Sequence, residues 1–222
     1  MIPAKKSKFF EMIFYPFNKR LLSFHFRNIY VKRYNKEVLL PSPTVFICNH
    51  STWWDGLVVY HINRAIAKHD SYAMMHESGI RKHPFFQKIG CFSIDRSNPK
   101  DIIVSLNYAK NILKNDKSIW IFPQGDEKHL EIRPLQFQGG VLHILKEIPS
   151  TPIIPIAIYY TFGHVRKPEI YITFGEPIYY DQLDGQSSNE KTANLEHLFT
   201  NVLDELKNDV MNEYYDQYES IL

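Results

Sequence analysis

Short apolar runs alternate with longer amphipathic stretches along most of this chain. The runs have the length of β-strands, and six strands are predicted, at residues 45–48, 72–75, 91–94, 118–122, 153–160 and 170–174. The run at 153–160 is apolar almost throughout, which is typical of a strand that is covered on both faces. The run at 170–174 alternates between apolar and polar residues and ends at a Gly-Glu-Pro turn.

Apolar residues recur at helical spacing between these runs. Helices are predicted at residues 8–30, 55–68, 80–88, 99–113, 139–147 and 194–215. Pro16 is expected to break or kink the first helix, and Pro84 to interrupt the third. Strands that alternate with helices predict an α/β domain with a mixed, largely parallel sheet flanked by helices. The loops after the carboxyl ends of such strands are expected to gather into a site.

The composition fits a single globular domain with a sizeable core. Hydrophobic residues make up 44% of the 222 residues and aromatic residues 14%, which excludes a disordered chain. The apolar runs are too short for a membrane-spanning helix. The N-terminal lysines are not followed by the apolar stretch and cleavage site of a secretory signal. Cys48 and Cys91 fall in predicted strands and are expected to be reduced core residues of a cytosolic protein, not a disulfide or metal site.

The formal net charge of +2 conceals an uneven distribution. Residues 1–36 carry nine Lys or Arg against Glu11 alone, together with nine aromatic residues, whereas residues 189–222 carry eight acids against two lysines. Basic residues interleaved with aromatic ones are typical of a segment that lies in the interface of an anionic membrane. An ordinary helix packed on the domain is the alternative, and binding of single-stranded nucleic acid is a less favoured one.

The stretch Asn49-His50-Ser51-Thr52-Trp53-Trp54-Asp55 follows the predicted strand at 45–48. A histidine at this strand-to-helix turn can stay open to a substrate while Asp55 folds back onto its ring. A carboxylate on one ring nitrogen fixes the tautomer and makes the other nitrogen a better proton acceptor. His50 is therefore the candidate general base for an alcohol that attacks an ester or thioester. The alternative is a structural histidine beside an aspartate at a helix start.

Three further blocks follow in order: Gly90-Cys91-Phe92-Ser93-Ile94-Asp95-Arg96, Ile121-Phe122-Pro123-Gln124-Gly125 and Ile153-Ile154-Pro155-Ile156-Ala157-Ile158. Together with the first block they resemble the four ordered motifs of the glycerolipid acyltransferase superfamily, the PlsC-like or lysophosphatidic acid acyltransferases. Those motifs are Asn-His-x-x-x-x-Asp, Gly-x-Ile-Phe-Ile-Asp-Arg, Phe-Pro-Glu-Gly-Thr-Arg-Ser and a Val-Pro-containing strand. The resemblance runs from about Leu40 to Ile178, most of the chain.

The resemblance implies a glycerol-3-phosphate acyltransferase-like fold, with residues 1–36 as a membrane-interface segment and residues 37–222 as the acyltransferase domain. It implies that His50 deprotonates an acceptor hydroxyl, which attacks the thioester of acyl-CoA or acyl carrier protein, while Asp55 orients His50. No serine nucleophile is required, and Ser51 is expected to cap the following helix. No cofactor or metal is expected beyond the acyl-thioester cosubstrate. The expected partners are a lipid acceptor and anionic lipids at the cytoplasmic face of the membrane, without nucleic acid.

Two more positions are candidates for the site. A glycine at Gly125 lets backbone N–H groups approach a ligand closely, which suits an oxyanion site; a plain turn is the alternative. The guanidinium of Arg96 suits a phosphate of the acceptor or of the donor, and a surface ion pair is the alternative.

The chain departs from the family pattern in its third motif. Gln124 stands where the pattern has Glu, Glu127 where it has Arg, and further on Gln138 where Lys is common. Two cations are therefore missing, and the carboxylates of Asp126 and Glu127 are added. An acidic pocket binds a phosphate monoester poorly, so a neutral hydroxyl acceptor such as a glycolipid sugar is predicted beside the lysophospholipid of the family pattern. Gln124 and Asp126 are expected to hydrogen-bond that acceptor.

Two other functions remain open at this stage. The same His–Asp pair could activate water, which would make the protein a thioesterase or lysolipid hydrolase. The changes in the third motif also leave room for a catalytically silent lipid-binding homologue, against which the intact His50–Asp55 pair argues.

Overall fold

The structure is a computed structural model that describes all 222 residues. Six α-helices and eight β-strands succeed one another as α1 (Lys8–His25), β1 (Ile29–Arg33), β2 (Val45–Cys48), α2 (Asp55–Ile62), β3 (Ser71–His76), α3 (Glu77–Lys82), β4 (Cys91–Ile94), α4 (Pro99–Lys114), β5 (Ser118–Ile121), α5 (Gly140–Leu145), β6 (Ile153–Thr161), β7 (Glu169–Phe174), α6 (Ser188–Met211) and β8 (Glu219–Ser220). A π-helical turn, Asn63–Ala67, extends α2, and 3₁₀ turns lie at Pro84–Ile89 and Tyr180–Gln182.

All eight strands form one sheet in the order β4-β3-β5-β2-β6-β7-β1-β8. β6 and β7 are antiparallel, as are β1 and β8, and every other neighbouring pair is parallel. α4, α5 and α6 cover one face with an apolar core, and α1 and α2 contribute to the core on the other face. The predicted mixed, largely parallel sheet flanked by helices is confirmed.

Strand β6 lies at the centre of this arrangement. It pairs in parallel with β2 on one side and antiparallel with β7 on the other. Ile153 and Ala157 belong to the core under α4–α6, whereas Ile154, Ile156 and Ile158 belong to the opposite core. The prediction that this strand is covered on both faces is confirmed, and its continuous apolar sequence follows from that position.

The N-terminal segment differs from the prediction of a helix over residues 8–30. α1 contains Pro16 and ends at His25, and Phe26 is already extended. Ile29–Arg33 instead forms β1, which pairs in parallel with β7. The β-branched and aromatic residues of this stretch suit a strand, and long-range pairing, which a local pattern does not reveal, decides the outcome. The sheet therefore begins within residues 1–36, the segment assigned to the membrane interface.

Other helix boundaries differ for local reasons. α6 begins at Ser188, earlier than predicted, because Ser187 and Glu190 form a reciprocal capping box. α2 gives way to the π-helical turn after Ile62, and the chain leaves that turn at Lys68 with φ 57°. The predicted helix 80–88 is divided before Pro84 into α3 and a 3₁₀ turn, as the proline requires.

Two short segments, residues 2–7 and strand β8, lie along the two lateral edges of the sheet. β8 pairs with the outer side of β1. At the other edge, residues 2–7 run beside residues 87–93: Ser93 N–H donates to the Ile2 carbonyl at 2.9 Å, and Ser7 N–H donates to the Lys88 carbonyl at 2.9 Å. The outer sides of β4 and β1 are therefore both covered by hydrogen-bonded backbone.

Candidate active site

The carboxyl ends of four parallel strands, β2, β4, β5 and β6, lie on the same side of the sheet, at the ends of the strands rather than along a lateral edge. His50 follows β2, residues 124–128 follow β5, Arg96 follows β4, and Tyr160 lies near the end of β6. Parallel strands bring the loops after their carboxyl ends to the same side. The prediction that the loops after these strand ends come together is therefore confirmed.

His50 and Asp55 form a direct hydrogen bond. The Nδ1 atom of His50 lies 2.8 Å from Oδ2 of Asp55. The Asp55 side chain is fully buried, whereas the His50 side chain is 21% exposed. A carboxylate accepts only, so Nδ1 carries the proton and the lone pair of Nε2 faces outward. The local geometry predicted for this pair is present.

Four further donors hold the Asp55 carboxylate. The backbone N–H groups of Ser51 and Thr52 donate to Oδ2 at 2.6 and 2.9 Å. The hydroxyls of Thr52 and Tyr160 donate to Oδ1 at 3.2 and 2.6 Å. Burial of a charge is costly unless it is hydrogen-bonded, and this carboxylate meets that condition with both oxygens. It is thereby fixed in one orientation beneath the imidazole.

The expectation that Ser51 caps the following helix is wrong. The Ser51 hydroxyl is buried without a hydrogen-bond partner. The hydroxyl of Thr52 instead accepts from the Trp54 N–H at 3.0 Å, at the entry to α2. The chain turns sharply enough here for the Ser51 N–H, rather than its side chain, to face Asp55.

Tyr160 was not identified from the sequence. Its hydroxyl reaches Asp55 from β6, although the two residues are 105 positions apart. Burial, and then the Asp55 charge, raise the pKa of Tyr160 well above its ordinary value. The phenol therefore remains a donor to the carboxylate at any physiological pH. The sequence shows only that a tyrosine lies at the end of a predicted strand. Its contact with Asp55 follows once β6 is known to pair with β2.

Asn49 also has a role that the sequence did not disclose. Its side-chain amide donates to the Ile158 carbonyl at 2.9 Å and accepts from the Ile158 N–H at 2.8 Å. This pair continues the β2–β6 ladder by one step beyond Cys48. Asn49 thus fixes the position of the backbone immediately before His50 through two hydrogen bonds to β6.

Gln124 contacts the backbone of the candidate base. It is buried, and its Oε1 accepts from the backbone N–H of His50 at 2.7 Å. The backbone N–H of Lys128 donates to the His50 carbonyl at 2.9 Å. One lone pair of this oxygen is therefore taken by the backbone, and a contact of the Gln124 side chain with an acceptor stays a prediction. The loop after β5 instead holds the backbone of the candidate base from both sides.

The three remaining candidates, Gly125, Arg96 and Asp126, contact one another. The Gly125 N–H donates to the Phe122 carbonyl at 3.0 Å, so it is not free to bind an oxyanion. Arg96 forms an ion pair with Asp126 and lowers the pKa of that carboxyl. Gly125 has φ +78°, and a Cβ there would overlap the Arg96 guanidinium. For Arg96, the ion pair considered as the alternative is the observed arrangement.

The open side of the imidazole has two neighbours. The Phe122 ring stacks on His50 with centroids 4.5 Å apart and planes inclined by 25°. The Glu127 Oε1 lies 3.9 Å from Nε2 of His50. The arrangement is that of a general base with a fixed tautomer, one apolar wall and one carboxylate beside the nitrogen that would take the proton.

An imidazole oriented by a buried carboxylate, at the carboxyl ends of parallel strands in a mixed sheet, is an arrangement suited to general-base chemistry on an α/β scaffold. The acyltransferase family model matches residues 29–159, more than half of the chain, and the chain belongs to this family. The resemblance that the four motifs carry is thereby confirmed.

The proteins that are similar to this chain include two curated relatives and a solved structure. The 1-acyl-sn-glycerol-3-phosphate acyltransferase of Saccharomyces cerevisiae is 26% identical over 134 residues, 58% of this chain and 42% of the relative. A probable enzyme of the same name from Mycoplasma pneumoniae is 26% identical over 116 residues, 45% of this chain and 43% of the relative. The match thus spans less than half the length of either relative.

The solved structure is the 1-acyl-sn-glycerophosphate (LPA) acyltransferase PlsC from Thermotoga maritima. It superposes with a TM-score of 0.61 at 18% identity, over 89% of this chain and 79% of that chain. The two proteins share the fold.

Proposed function

We propose that this protein is an O-acyltransferase that moves a fatty acyl group from acyl-CoA or acyl carrier protein to a hydroxyl of a lipid acceptor, either a lysophospholipid or a neutral or glycosylated lipid. The observation that carries the proposal is the 2.8 Å hydrogen bond between His50 Nδ1 and the buried Asp55, which leaves Nε2 facing outward. The names of the curated relatives support a lipid acceptor.

In this mechanism Nε2 of His50 takes the proton of the acceptor hydroxyl as its oxygen attacks the thioester carbonyl. Asp55 stabilises the imidazolium that forms. The tetrahedral intermediate then collapses, the carbon–sulfur bond breaks, and the imidazolium returns the proton to the departing thiolate. The products are the acylated lipid and the free thiol, and His50 is neutral again.

A direct transfer fits the surroundings of the base better than an acyl-enzyme. Two nucleophilic side chains close to His50 in sequence, Ser51 and Cys48, make no hydrogen bond to its ring. Burial, and then the Asp55 charge, raise the pKa of the Cys48 thiol well above its ordinary value. Neither side chain is therefore activated as a nucleophile.

The test is thiol release from long-chain acyl-CoA and acyl carrier protein, with and without a panel of lipid alcohols. His50→Gln is expected to lower acceptor-dependent release by roughly 100- to 10,000-fold, the usual contribution of a general base. His143→Gln changes an exposed histidine on α5 and is the matched control. Release that needs no acceptor would replace the proposal with a hydrolase, and equal release by His50→Gln and the control would reject His50 as the base.

We also propose that α1 lies on the cytoplasmic face of an anionic membrane, as a peripheral contact. One face of the helix is buried against the domain through Phe14, Asn18 and Leu22. The other face exposes five large apolar side chains: Phe9, Met12, Ile13, Phe17 and Phe24. Lys8, Lys19 and Arg20 are exposed along the same helix and make no ion pair. None of the helices combines the length and the hydropathy that a membrane span requires.

The end of α1 lies beside the candidate site. The Phe26 ring, one residue past the helix, lies 5.2 Å from the Trp54 ring and 5.9 Å from the Tyr160 ring, measured between centroids. Tyr160 in turn binds Asp55. A lipid surface on the exposed face of α1 would therefore extend to the neighbourhood of the base, where a lipid acceptor is needed.

Deletion of residues 1–36 would remove β1 from the sheet, so point variants are the better test. Ile13→Ser/Phe17→Ser is expected to weaken binding to phosphatidylglycerol-containing vesicles at least tenfold, since about 1.4 kcal/mol of lost apolar burial corresponds to tenfold. Ile103→Ser/Val104→Ser removes exposed apolar side chains from α4 and is the matched control. Equal binding by the two double variants would argue against α1 as the contact.

A further inference from the structure

Glu127 is the one charged side chain that faces Nε2 of the candidate base. Its Oε1 lies 3.9 Å from that nitrogen, and the side chain is 54% exposed. It has no other ion pair and no hydrogen bond. An acceptor hydroxyl has to lie within hydrogen-bond distance of Nε2 before it can lose its proton. The group bearing that hydroxyl must therefore contact, or pass directly beside, the Glu127 carboxylate.

The cations of the surrounding loops are engaged elsewhere. Arg96 is paired with Asp126. The Lys128 ammonium donates to Gln136 Oε1 at 2.5 Å, and Arg133 is paired with Asp204 at 2.5 Å. Both arginines are thus neutralised by carboxylates, and the Lys128 ammonium is directed to an uncharged amide oxygen rather than to Glu127.

We propose that Glu127 determines acceptor specificity: it favours a neutral polyol or sugar headgroup with adjacent hydroxyls and rejects a phosphate monoester close to the reacting hydroxyl. This inference rests on the proposed acyltransferase function. Nε2 and Oε1 offer two acceptor atoms side by side, which two neighbouring hydroxyls can satisfy as donors. A carboxylate cannot donate to a phosphate oxygen, and the two like charges repel at close range.

The magnitude expected of this repulsion is measurable. Two like charges about 4 to 6 Å apart, partly exposed to water, should lower relative affinity by roughly tenfold. The same contact leaves a neutral headgroup unaffected by charge and adds a charge-assisted hydrogen bond. The ratio of the two acceptors therefore reports on Glu127, whereas a general loss of stability would lower both rates together.

The test compares two acceptors that differ only in the phosphate, 1-oleoylglycerol and 1-oleoyl lysophosphatidic acid, by kcat/KM. The wild-type protein is expected to prefer the neutral acceptor by about tenfold or more, Glu127→Gln to reduce this preference about tenfold, and Glu127→Lys to reverse it. Glu176→Lys makes the same charge change on an exposed side chain after β7, at the far end of the sheet, and should keep the wild-type ratio.

The outcomes separate the two proposals. Transfer that depends on His50 but shows one acceptor ratio in the wild type, Glu127→Gln and Glu127→Lys overturns the assignment of Glu127 alone. A wild-type preference for lysophosphatidic acid overturns it as well. Absence of His50-dependent transfer to either acceptor overturns the acyltransferase proposal and, with it, the role of Glu127.

Discussion

The hydroxyl of Tyr160 donates a 2.6 Å hydrogen bond to Oδ1 of Asp55, and so connects the end of β6 to the first turn of α2. Oδ2 of the same carboxylate binds the imidazole of His50. The orientation of the candidate base thus depends on a residue from a different strand. Tyr160 is best described as a positioning residue, because it reaches the imidazole only through Asp55.

Tyr160→Phe is expected to lower kcat about tenfold with little change in KM. The variant leaves Oδ1 of the buried Asp55 with only the longer bond from Thr52, and loss of a hydrogen bond to a charged group costs about 1.5 to 3 kcal/mol. Acyl-transfer kinetics measure the loss of kcat, and urea unfolding measures the loss of stability. Tyr159→Phe removes a neighbouring hydroxyl that binds Glu131 at the surface, and it should leave kcat unchanged. Identical kinetics in the two variants would contradict this role of Tyr160.

Asp55→Asn is expected to lower kcat by roughly 1,000- to 10,000-fold. An amide in this place can present its NH₂ group to Nδ1, which favours the tautomer with the proton on Nε2 and removes the proton acceptor. Because the two residues act as a unit, His50→Gln/Asp55→Asn should be about as slow as His50→Gln alone. If the factors by which the two single substitutions lower kcat multiply in the double variant, Asp55 does not act through His50.

Gly125→Ala is expected to lower the free energy of unfolding by about 1 to 3 kcal/mol. A left-handed backbone conformation costs a non-glycine residue about 1 to 2 kcal/mol, and the new methyl group would also overlap the Arg96 guanidinium. Arg96→Ala removes the overlap but not the strain. The double variant should therefore be more stable than the sum of the single losses predicts, as measured by urea unfolding. Strict additivity would exclude the steric contact.

Stability should fall as the pH decreases from about 7 to about 5. His61 is buried, its Nδ1 has no partner, and burial lowers its pKa below the ordinary value of 6.5. Burial also lowers the pKa of His69. The unfolded chain therefore binds protons before the folded protein does, and each histidine contributes a slope of at most about 1.4 kcal/mol per pH unit.

His61→Phe is expected to flatten this dependence. The phenyl ring keeps the aromatic contact with Tyr15 and removes the titrating group, at the cost of the hydrogen bond to the Ile221 carbonyl. Urea unfolding over the same pH range provides the comparison. If the variant and the wild type lose stability in parallel, His61 is not a source of the dependence.

The parts of the site that the sequence predicted are those formed by short stretches of chain. His50 and Asp55 are five positions apart, so a strand end and a helix start were enough to bring them together. The hydrogen bonds from Asn49 to Ile158 and from Tyr160 to Asp55 join residues more than 100 positions apart. They depend on β2 lying beside β6, and hydrophobic periodicity carries no information on strand order.

Gln124 illustrates a different limit. A polar side chain in a motif loop looks equally suited to a ligand and to the backbone of a neighbouring loop. Only the placement of β5 beside β2 shows that its oxygen binds the His50 N–H. The strand β1 was missed for a similar reason: its residues suit a strand, but it is their pairing with β7 that decides their conformation.

The occupied edges of the sheet bear on how the protein behaves in a crowded solution. An unpaired edge strand is a template for another chain, and sheet proteins that expose one are prone to join edge to edge. Here residues 2–7 lie along one edge, and β8 pairs with β1 at the other. Loosening either short segment would open a backbone surface that the folded protein keeps closed. Resistance to self-association should therefore depend on two short segments that supply none of the candidate site residues.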